Sequence, residues 1–338
     1  MPDPSALSIN EAAIKAIARE LKAGRLALFL GAGVNMCGRP KDFCLHQNLP
    51  RGGELAEYLL QKLDLPIKDD YKSDLARASG YAILKSERLA VYDELHKVFD
   101  GNFDPTPLHK LIAELPGLCD HHQYVVTTNY DDVMERAFAS RQEPFDVVWY
   151  DVNEKTRGFW HLCVTAPLQY PPDAEHAGLI DDYVKKIEDP THFVEEIDFE
   201  QRSAIFKVHG EVWRWAQPRD PLKRDSYVIA EDDYIDYMAF THQLPAGLVS
   251  QIQIKNMLFL GYSLRDWNMR VILRQAWGDR RLPGRAWAVL DQADDLEEIA
   301  WANRGVTFLV MKLEEFTEQL GSQLRGLPLA SAATGGKF

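Results

Sequence analysis

Residues 26–33 have the sequence L-A-L-F-L-G-A-G, a short apolar run that ends in a glycine turn. Five consecutive apolar residues predict a strand buried on both faces, as in a parallel sheet covered by helices. Gly31 and Gly33 allow the backbone to turn tightly and to approach a pyrophosphate closely. A lone G-x-G is a weak signal, because an ordinary tight turn uses the same residues. This stretch therefore supports a fold hypothesis before it supports a function.

Similar apolar runs recur along the chain and alternate with segments of helical periodicity. This alternation predicts an α/β fold, with a Rossmann-like, doubly wound, mainly parallel sheet and helical insertions. The predicted strands cover 26–30, 124–126, 147–149, 205–208, 257–260, 286–290 and 306–309. The predicted helices cover 14–22, 54–63, 108–115, 131–138, 265–277 and 313–324.

Two stretches interrupt this alternation, so residues 1–338 are predicted to form a single domain with insertions. Residues 64–103 have a helical pattern and predict a helical insertion. Residues 151–201 are rich in Asp, Glu and Pro, with weak helical signals over 179–187, and predict an acidic insertion that acts as a lid or an oligomer contact. The small polar tail over 330–338 is predicted to be disordered.

Composition narrows the classes of function. The net charge of −13 disfavours a direct nucleic-acid partner, because binding to phosphates depends on Lys and Arg. The four cysteines form no C-x-x-C pair, so no zinc ribbon is indicated. No secretory leader and no apolar stretch of membrane-spanning length is evident, which predicts a cytoplasmic protein without a membrane partner.

A polar run follows the second predicted strand, where residues 127–132 are T-T-N-Y-D-D. Open α/β sheets bind ligands at the carboxyl ends of their strands. Thr128, Asn129 and Asp131 would offer hydrogen-bond donors and acceptors there. The alternative is an N-cap for the helix that follows. Because one residue is enough for a cap, the longer run favours an additional role.

Two further polar turns follow predicted strands. His209 lies just after a strand, and its imidazole suits a general base near neutral pH, although a lone His is more often structural. Residues 258–266, L-F-L-G-Y-S-L-R-D, place Gly261, Ser263 and Arg265 where a phosphate or a ribose hydroxyl could bind. Ser263 could equally cap the next helix. Four polar turns at strand ends of one sheet are predicted to converge on one cleft.

Use of NAD as a redox carrier is not indicated. The dinucleotide fingerprint of dehydrogenases has a third glycine at the position that Met36 occupies here. In addition, no clear second strand ending in an acidic residue follows the glycine turn. A redox cofactor is therefore not expected.

Taken in order, G-A-G, T-x-N-x-D, V-H-G and G-Y-S-L resemble the motifs of the sirtuin-like family over about 25–309. The NADase branch found in bacterial anti-phage defence is more similar still, with G-A-G-V-N at 31–35, L-P-x-G-x-E-L at 49–55 and T-T-N-Y-D at 127–131. The chain departs from the deacylases of the family. It lacks their zinc ribbon, and residues 38–43 only loosely match their G-I-P-D-F segment.

The resemblance implies that NAD is a substrate and that no zinc is needed. It implies an NAD glycohydrolase that releases nicotinamide and ADP-ribose and depletes NAD during phage infection. By the same resemblance, Asn129 positions a water, Asp131 binds the carboxamide and His209 acts as a general base. Contacts to pyrophosphate, phosphate or ribose are implied for the remaining residues, which are Gly31, Ala32, Gly33, Asn35, Thr128, Gly261, Ser263 and Arg265.

The resemblance also implies control by assembly, through a homo-oligomer or through a partner subunit such as a HerA-like ATPase. Two alternative functions stay open. One is an NAD-dependent protein deacylase or ADP-ribosyltransferase, which would depend on an acylated or acceptor protein. The other is a non-catalytic scaffold subunit that binds NAD or ADP-ribose. Asn129 and His209 together favour hydrolysis over binding alone, because a pure binder needs neither an activated water nor a base.

Overall fold

The computed structural model describes residues 4–66, 69–72, 74–165, 170, 183–190, 193, 197–214, 225–240, 244–262, 273, 285–291 and 301–327. The strands in these ranges are β1 (Leu26–Leu30), β2 (Tyr124–Thr127), β3 (Phe145–Asp151), β4 (Gly158–Val164), β5 (Val184–Lys186), β6 (Ser203–Lys207), β7 (Gly210–Glu211), β8 (Ser226–Tyr227), β9 (Asn256–Leu260), β10 (Ala286–Leu290) and β11 (Val306–Val310).

The helices in the same ranges begin before β1 and continue beyond β11. They are α1 (Pro4–Lys22), α2 (Gly52–Lys62), α3 (Asp69–Lys72), α4 (Leu75–Ser86), α5 (Arg88–Phe99), α6 (Pro107–Cys119), α7 (Val133–Ser140), α8 (Glu231–Phe240), α9 (Ala246–Ile254) and α10 (Leu313–Gly326), with a 3-10 helix at Ala32–Met36. Within these ranges, no helix combines the length and the hydropathy that a bilayer span requires.

Nine of the described strands form one sheet in the order β11-β10-β9-β1-β2-β6-β3-β4-β5. The neighbours from β11 to β3 pair in parallel, whereas β3 with β4 and β4 with β5 pair antiparallel. The predicted mainly parallel, Rossmann-like α/β fold is therefore confirmed. Strands β7 and β8 form a separate antiparallel pair beyond the carboxyl end of β6.

Each face of the sheet carries a hydrophobic layer, and β1 contributes to both. Leu28 packs in one layer with Ile17 of α1 and Leu320 of α10. Its neighbour Phe29 packs in the opposite layer with Leu248 of α9. A strand covered on both faces needs an apolar residue at every position. This requirement explains the uninterrupted run that begins the sheet, in which all five residues of β1 are buried.

A third hydrophobic cluster lies under helices α2, α4 and α5. Leu59, Leu95 and Phe99 of these helices pack with Tyr130, which follows β2, and with Val212, which follows β7. Helices α3, α4 and α5 occupy most of the 64–103 segment. The cluster therefore anchors this helical segment beside the carboxyl ends of the parallel strands.

Most predicted strands and helices differ from the observed ones only at their end residues, whereas the 151–201 segment differs more. The weak helical prediction over 179–187 is wrong where the structure describes it, because Val184–Lys186 is strand β5. Strand β4 was not predicted either, since His161 interrupts its apolar residues and leaves no long continuous apolar run. Three-residue β5 takes its conformation from pairing with β4, which no local pattern reveals. The role of the segment as a lid or an oligomer contact stays a prediction.

Two further predictions concern the carboxyl-terminal part of the chain. The predicted helix over 265–277, apart from Leu273, lies outside the described residues. The predicted disordered tail over 330–338 also lies outside them.

Candidate functional site

The carboxyl ends of the parallel strands border a cleft of about 1110 Å³. On the side of the sheet, the turns after β1, β2, β6 and β9 line it. On the opposite side it is lined by α2, the start of α4, the end of α5 and the start of α8. The cleft therefore lies between the sheet and the helical segment that packs over its edge.

Nine of the residues predicted from the sequence line this cleft together. They come from four separate turns and are Gly31, Ala32, Gly33, Asn35, Thr128, Asn129, Asp131, His209 and Gly261. The other two predicted residues, Ser263 and Arg265, lie outside the described residues. The turns converge because neighbouring parallel strands end at the same edge of the sheet. Their roles in binding or catalysis stay predictions.

The two glycine turns touch each other. The N–H of Gly33 donates to the carbonyl oxygen of Gly261 at 2.8 Å, and that of Gly31 donates to Leu260 at 3.0 Å. A Cβ at Gly33 would lie 2.6 Å from the Gly261 oxygen, and one at Gly261, where φ is +59°, would lie 2.2 Å from the nitrogen of Val34. The glycines thus allow two backbones to meet. Both amides bind within the protein, so these residues line the cleft as closely packed backbone whose N–H groups at Gly31 and Gly33 are already used.

In the side chain of Asn129, the amide nitrogen is hydrogen-bonded and the amide oxygen is not. Its Nδ2 donates to the carbonyl oxygen of Gly31 at 3.4 Å, and its backbone N–H donates to Oγ1 of Thr127 at 3.0 Å. Asn129 is 8% exposed, and its Oδ1 has no hydrogen-bond partner among the described residues. Leaving a buried acceptor unsatisfied costs about 1–3 kcal/mol. The arrangement therefore suits an acceptor that a ligand or a water completes.

Both carboxylate oxygens of Asp131 are engaged within the protein. Oδ1 accepts the N–H of Val133 at 3.1 Å, and Oδ2 accepts Nδ2 of Asn35 at 2.9 Å. The first bond lies at the start of α7 but is not an N-cap bond, because the N-cap residue is Asp132, whose side chain makes no capping hydrogen bond. Burial raises the pKa of Asp131, against the opposing effects of Asn35 and Lys207. Asp131 thus joins the start of α7 to the 3-10 helix, and any ligand would use its remaining lone pairs.

His209 borders the cleft two residues beyond the end of β6 and is 2% exposed. Its carbonyl oxygen accepts the N–H of Val228 at 2.9 Å, which ties the turn to the end of β8. Its ring meets the rings of Tyr234 and Tyr237 on α8 edge-on, with centroid distances of 5.5 and 6.1 Å. Helix α8 therefore restricts the orientation of the imidazole.

The wall opposite the sheet is the part of the cleft that the sequence did not predict. Its apolar surface includes Phe99 of α5 and Tyr234 of α8. Aromatic residues on helices are more often core than site, so their pattern carries no functional signal. Arg51 also lines the cleft. The sequence feature that could have pointed to it is the L-P-x-G-x-E-L segment at 49–55, which contains it.

The rim of the cleft is acidic. Asp74 at the start of α4 faces Glu231 and Asp232 at the start of α8. Arg77 lies between these helices, 3.9 Å from the carboxylate of Asp74 and 3.8 Å from that of Glu231. In the sequence these acidic residues carry no functional signal, because acidic residues are favoured at the N-termini of helices in general. Only their placement on two facing helices makes them part of the cleft.

The cleft brings together an imidazole, an open amide oxygen and a buried carboxyl group beside aromatic side chains. Groups of this kind can orient a water molecule, accept its proton and stabilise a developing cation. In the described part of the chain, no three His, Cys, Asp or Glu side chains come together in a way that could hold a metal ion.

Comparison with known proteins identifies one matching family model, described as a SIR2-like domain, over residues 123–309, which is more than half of the chain. The chain is also similar to the NAD(+) hydrolase ThsA of Acinetobacter baumannii (strain 532279), with 26% identity over 262 residues. That alignment covers 77% of this chain and 41% of ThsA.

A second curated relative is Defense-associated sirtuin 2 of Bacillus subtilis, with 24% identity over 265 residues, covering 77% of this chain and 20% of that protein. The chain thus spans less than half the length of either relative. A solved structure described as "Structural Basis for the Mechanism and Regulation of Sir2 Enzymes" aligns with a TM-score of 0.41 and 15% identity, over 92% of this chain and 96% of that one. Sir2Af2 bound to a myristoylated histone peptide aligns with a TM-score of 0.40 and 14% identity, over 93% and 97% of the two chains.

Proposed function

This chain belongs to the SIR2-like domain family, and from that premise we propose that it is an NAD glycohydrolase that releases nicotinamide and ADP-ribose. NAD would be its substrate and not a redox cofactor. Two relatives, an NAD(+) hydrolase and a defence-associated sirtuin, support this choice within the family.

The observation that carries the proposal is the presence of Asn129 and His209 in one cleft. These residues lie 80 positions apart in the sequence. The buried Oδ1 of Asn129 keeps an unused acceptor site, and the imidazole of His209 borders the same space. A hydrolase needs both a positioned water and a base, whereas a protein that only binds NAD needs neither.

The proposed reaction breaks the bond between the anomeric carbon of ribose and the nicotinamide nitrogen. The bond's electron pair leaves with nicotinamide, which becomes neutral, and positive charge develops on the ribose. Oδ1 of Asn129 accepts a hydrogen bond from the attacking water. His209 removes a proton from that water or from a ribose hydroxyl. Asp131 binds the carboxamide of nicotinamide through a lone pair that Asn35 and Val133 leave available.

The remaining predicted residues would bind the rest of NAD. The pyrophosphate would lie against the part of the cleft that is lined by Gly31, Ala32, Gly33 and Gly261. Asn35 and Thr128 would contact the same part of the substrate. Contacts to phosphate or ribose are proposed for Ser263 and Arg265, which lie outside the described residues.

We further propose that this activity depletes cytoplasmic NAD during phage infection and that assembly controls it. A homo-oligomer and a complex with a partner such as a HerA-like ATPase are the two proposed forms of assembly. Light scattering after gel filtration, with and without a genetically linked ATPase, separates them. A turnover rate that stays constant when the chain is concentrated or mixed with the ATPase would contradict control by assembly.

The experiment that tests the enzymatic proposal measures NAD, nicotinamide and ADP-ribose in the presence of the purified protein. Wild type should convert NAD into equal amounts of the two products. Asn129→Ala and His209→Ala should each lower turnover about 100-fold or more, because positioned acid–base groups typically contribute 10²–10⁴-fold. Asn303→Ala and His121→Ala change the same residue types at exposed positions away from the cleft and serve as matched controls.

The products also separate the alternatives. Turnover that depends on an acyl-lysine peptide or on an acceptor protein would indicate a deacylase or an ADP-ribosyltransferase. NAD binding without turnover, alone and with the ATPase, would indicate a scaffold subunit and contradict the hydrolase.

A further inference from the structure

A lysine is buried at the carboxyl end of the central strands. Lys207 is the last residue of β6, which lies between β2 and β3, and it is 1% exposed. Burying an ammonium group is costly unless charged and polar partners surround it. The positions of its partners therefore show which elements the lysine connects.

The ammonium group of Lys207 contacts three neighbouring elements. It donates to the carbonyl oxygens of Asp131 at 2.8 Å and of Tyr130 at 3.4 Å, both in the turn between β2 and α7. It donates to Oε1 of Glu135 on α7 at 2.8 Å and lies 3.4 Å from Oε2 of Glu211 on β7. Both glutamates are buried as well. One side chain thus connects β6, β7, α7 and the turn after β2.

We propose that Lys207 is a positioning residue for the cleft, because its ammonium joins the turn that presents Asn129 to the turn that presents His209. Asn129 directly precedes Tyr130, whose carbonyl oxygen binds the lysine. His209 lies midway between Lys207 and Glu211 in the sequence, and Nζ of Lys207 lies 3.4 Å from Oε2 of Glu211. The catalytic meaning of this inference rests on the proposed function, whereas its geometry rests on the contacts alone.

The opposite end of the same strands provides a comparison. Just before β6, Nε of Arg202 donates to Oδ2 of Asp146 on β3 at 2.8 Å, and Nε2 of His161 on β4 lies 2.8 Å from Oδ1 of the same carboxylate. These bonds join side chains to one another. Lys207 instead binds backbone carbonyl groups of a turn that lines the cleft. Loss of the first network should lower stability alone, and loss of the second should also move the cleft residues.

The test uses a variant in which the network of Lys207 is uncharged. Lys207→Met retains most of the apolar stem, and combining it with Glu135→Gln and Glu211→Gln leaves no buried charge unpaired within this triad. Asp146→Asn, at the opposite end of the strands, is the matched control. Hydrogen exchange is followed in peptides covering 127–133 and 207–212, and NAD turnover and thermal unfolding are measured in parallel.

The uncharged variant should exchange faster in both peptides and should lose about 10- to 100-fold in kcat with KM within twofold, because small displacements of reacting groups cost such factors. Asp146→Asn should lower Tm and leave kcat and both peptides unchanged. Wild-type exchange in the uncharged variant would overturn the inference, whatever its activity. If wild type cleaves no NAD, the proposed function fails, while the exchange data still decide the inference.

Should the triple variant not fold, Lys207→Arg provides the same test. Its charge is retained, but a planar guanidinium replaces the compact ammonium and its three donors. Faster exchange over 127–133, with partial loss of kcat, would support the inference. Exchange and kcat equal to wild type would overturn it.

Discussion

The two ends of the parallel sheet satisfy their polar groups differently. At the amino end, Asp146 binds both His161 and Arg202 at 2.8 Å, and Glu143 binds His122 and accepts the hydroxyl of Ser203, both at 2.6 Å.

At the carboxyl end, the amide oxygens of Asn129 and Asn35 are buried without a partner in the described part of the chain. Folding alone favours the first arrangement, because each unsatisfied buried acceptor lowers stability. The second arrangement keeps hydrogen-bonding capacity for a molecule that enters the cleft. The difference therefore distinguishes an end whose buried polar groups are paired from an end that keeps buried acceptors available.

The largest expected effect tests the close backbone contact between the two glycine turns at the carboxyl end. Gly261→Ala should lower the free energy of unfolding by about 4 kcal/mol or more, because a Cβ would contact the backbone of Val34 and Gly33 and the φ of +59° is strained for alanine. Gly117→Ala in α6, where a Cβ meets nothing within 4 Å, is the control and should stabilise by roughly 0.5–1 kcal/mol. Urea unfolding measures the stability of both variants. Equal changes in the free energy of unfolding would contradict the prediction that the close backbone contact requires glycine at position 261.

The next effect tests the amino end. Asp146→Ala leaves Arg202 and His161 without their shared carboxylate, and breaking a buried pair costs about 3 kcal/mol. NAD turnover per folded molecule should stay at the wild-type value, since the amino end of the sheet is opposite the end that borders the cleft. A loss of kcat at a temperature where the variant is fully folded would show that the two ends are coupled.

A third effect, smaller per pH unit than the two above, concerns Glu211 at the carboxyl end. Burial, opposed by the charge of Lys207, raises the pKa of Glu211 from its ordinary 4.5 to about 8. The folded protein therefore binds this proton more tightly than the unfolded chain does. The resulting stabilisation is complete below pH 4.5 and is lost as the pH rises towards 8, by up to about 1.4 kcal/mol per pH unit.

Glu211→Gln removes this titration, so its stability should fall less than that of wild type between pH 5 and pH 8. Urea unfolding at several pH values in this window measures the two slopes. Glu200→Gln, at an exposed position, is the control. Parallel pH profiles of wild type and Glu211→Gln would contradict the prediction.

The smallest effect on stability should accompany the largest effect on activity. Asn129→Ala removes the bond from Nδ2 to Gly31 but also removes an unsatisfied oxygen, so the free energy of unfolding should change by less than about 1 kcal/mol. Thermal and urea unfolding measure this value. A destabilisation as large as that of Asp146→Ala would mean that Asn129 serves the fold and not a ligand.

Local sequence patterns were sufficient for the centre of the fold and for the position of the polar turns. Strand β1 is an uninterrupted apolar run because it is buried on both faces. Thr128, Asn129 and Asp131 were recognisable because polar residues at a strand end have few structural uses beyond a cap. Strands β4 and β5 were missed, since these antiparallel strands at one side of the sheet depend on pairing more than on a hydrophobic pattern.

Long-range packing decided the rest of the cleft. The edge-on contact of Tyr234 with His209 joins α8 to the turn after β6, and Phe99 reaches the cleft from α5. Neither aromatic residue differs in sequence context from a core residue. The burial of Lys207 is equally invisible in sequence, because a lysine near a strand end is ordinarily exposed.

A mainly parallel α/β sheet whose strands end in polar or glycine-rich turns could be predicted from the amino-acid sequence. Burial on two faces requires consecutive apolar residues, and turns require particular residue types, so both are visible in a short stretch of sequence. Three features depend on tertiary packing: Asn129 and His209 border one cleft, Asn35 binds Asp131, and Lys207 joins the two turns. These contacts connect residues far apart in the chain, and the packing of helices against the sheet brings them together.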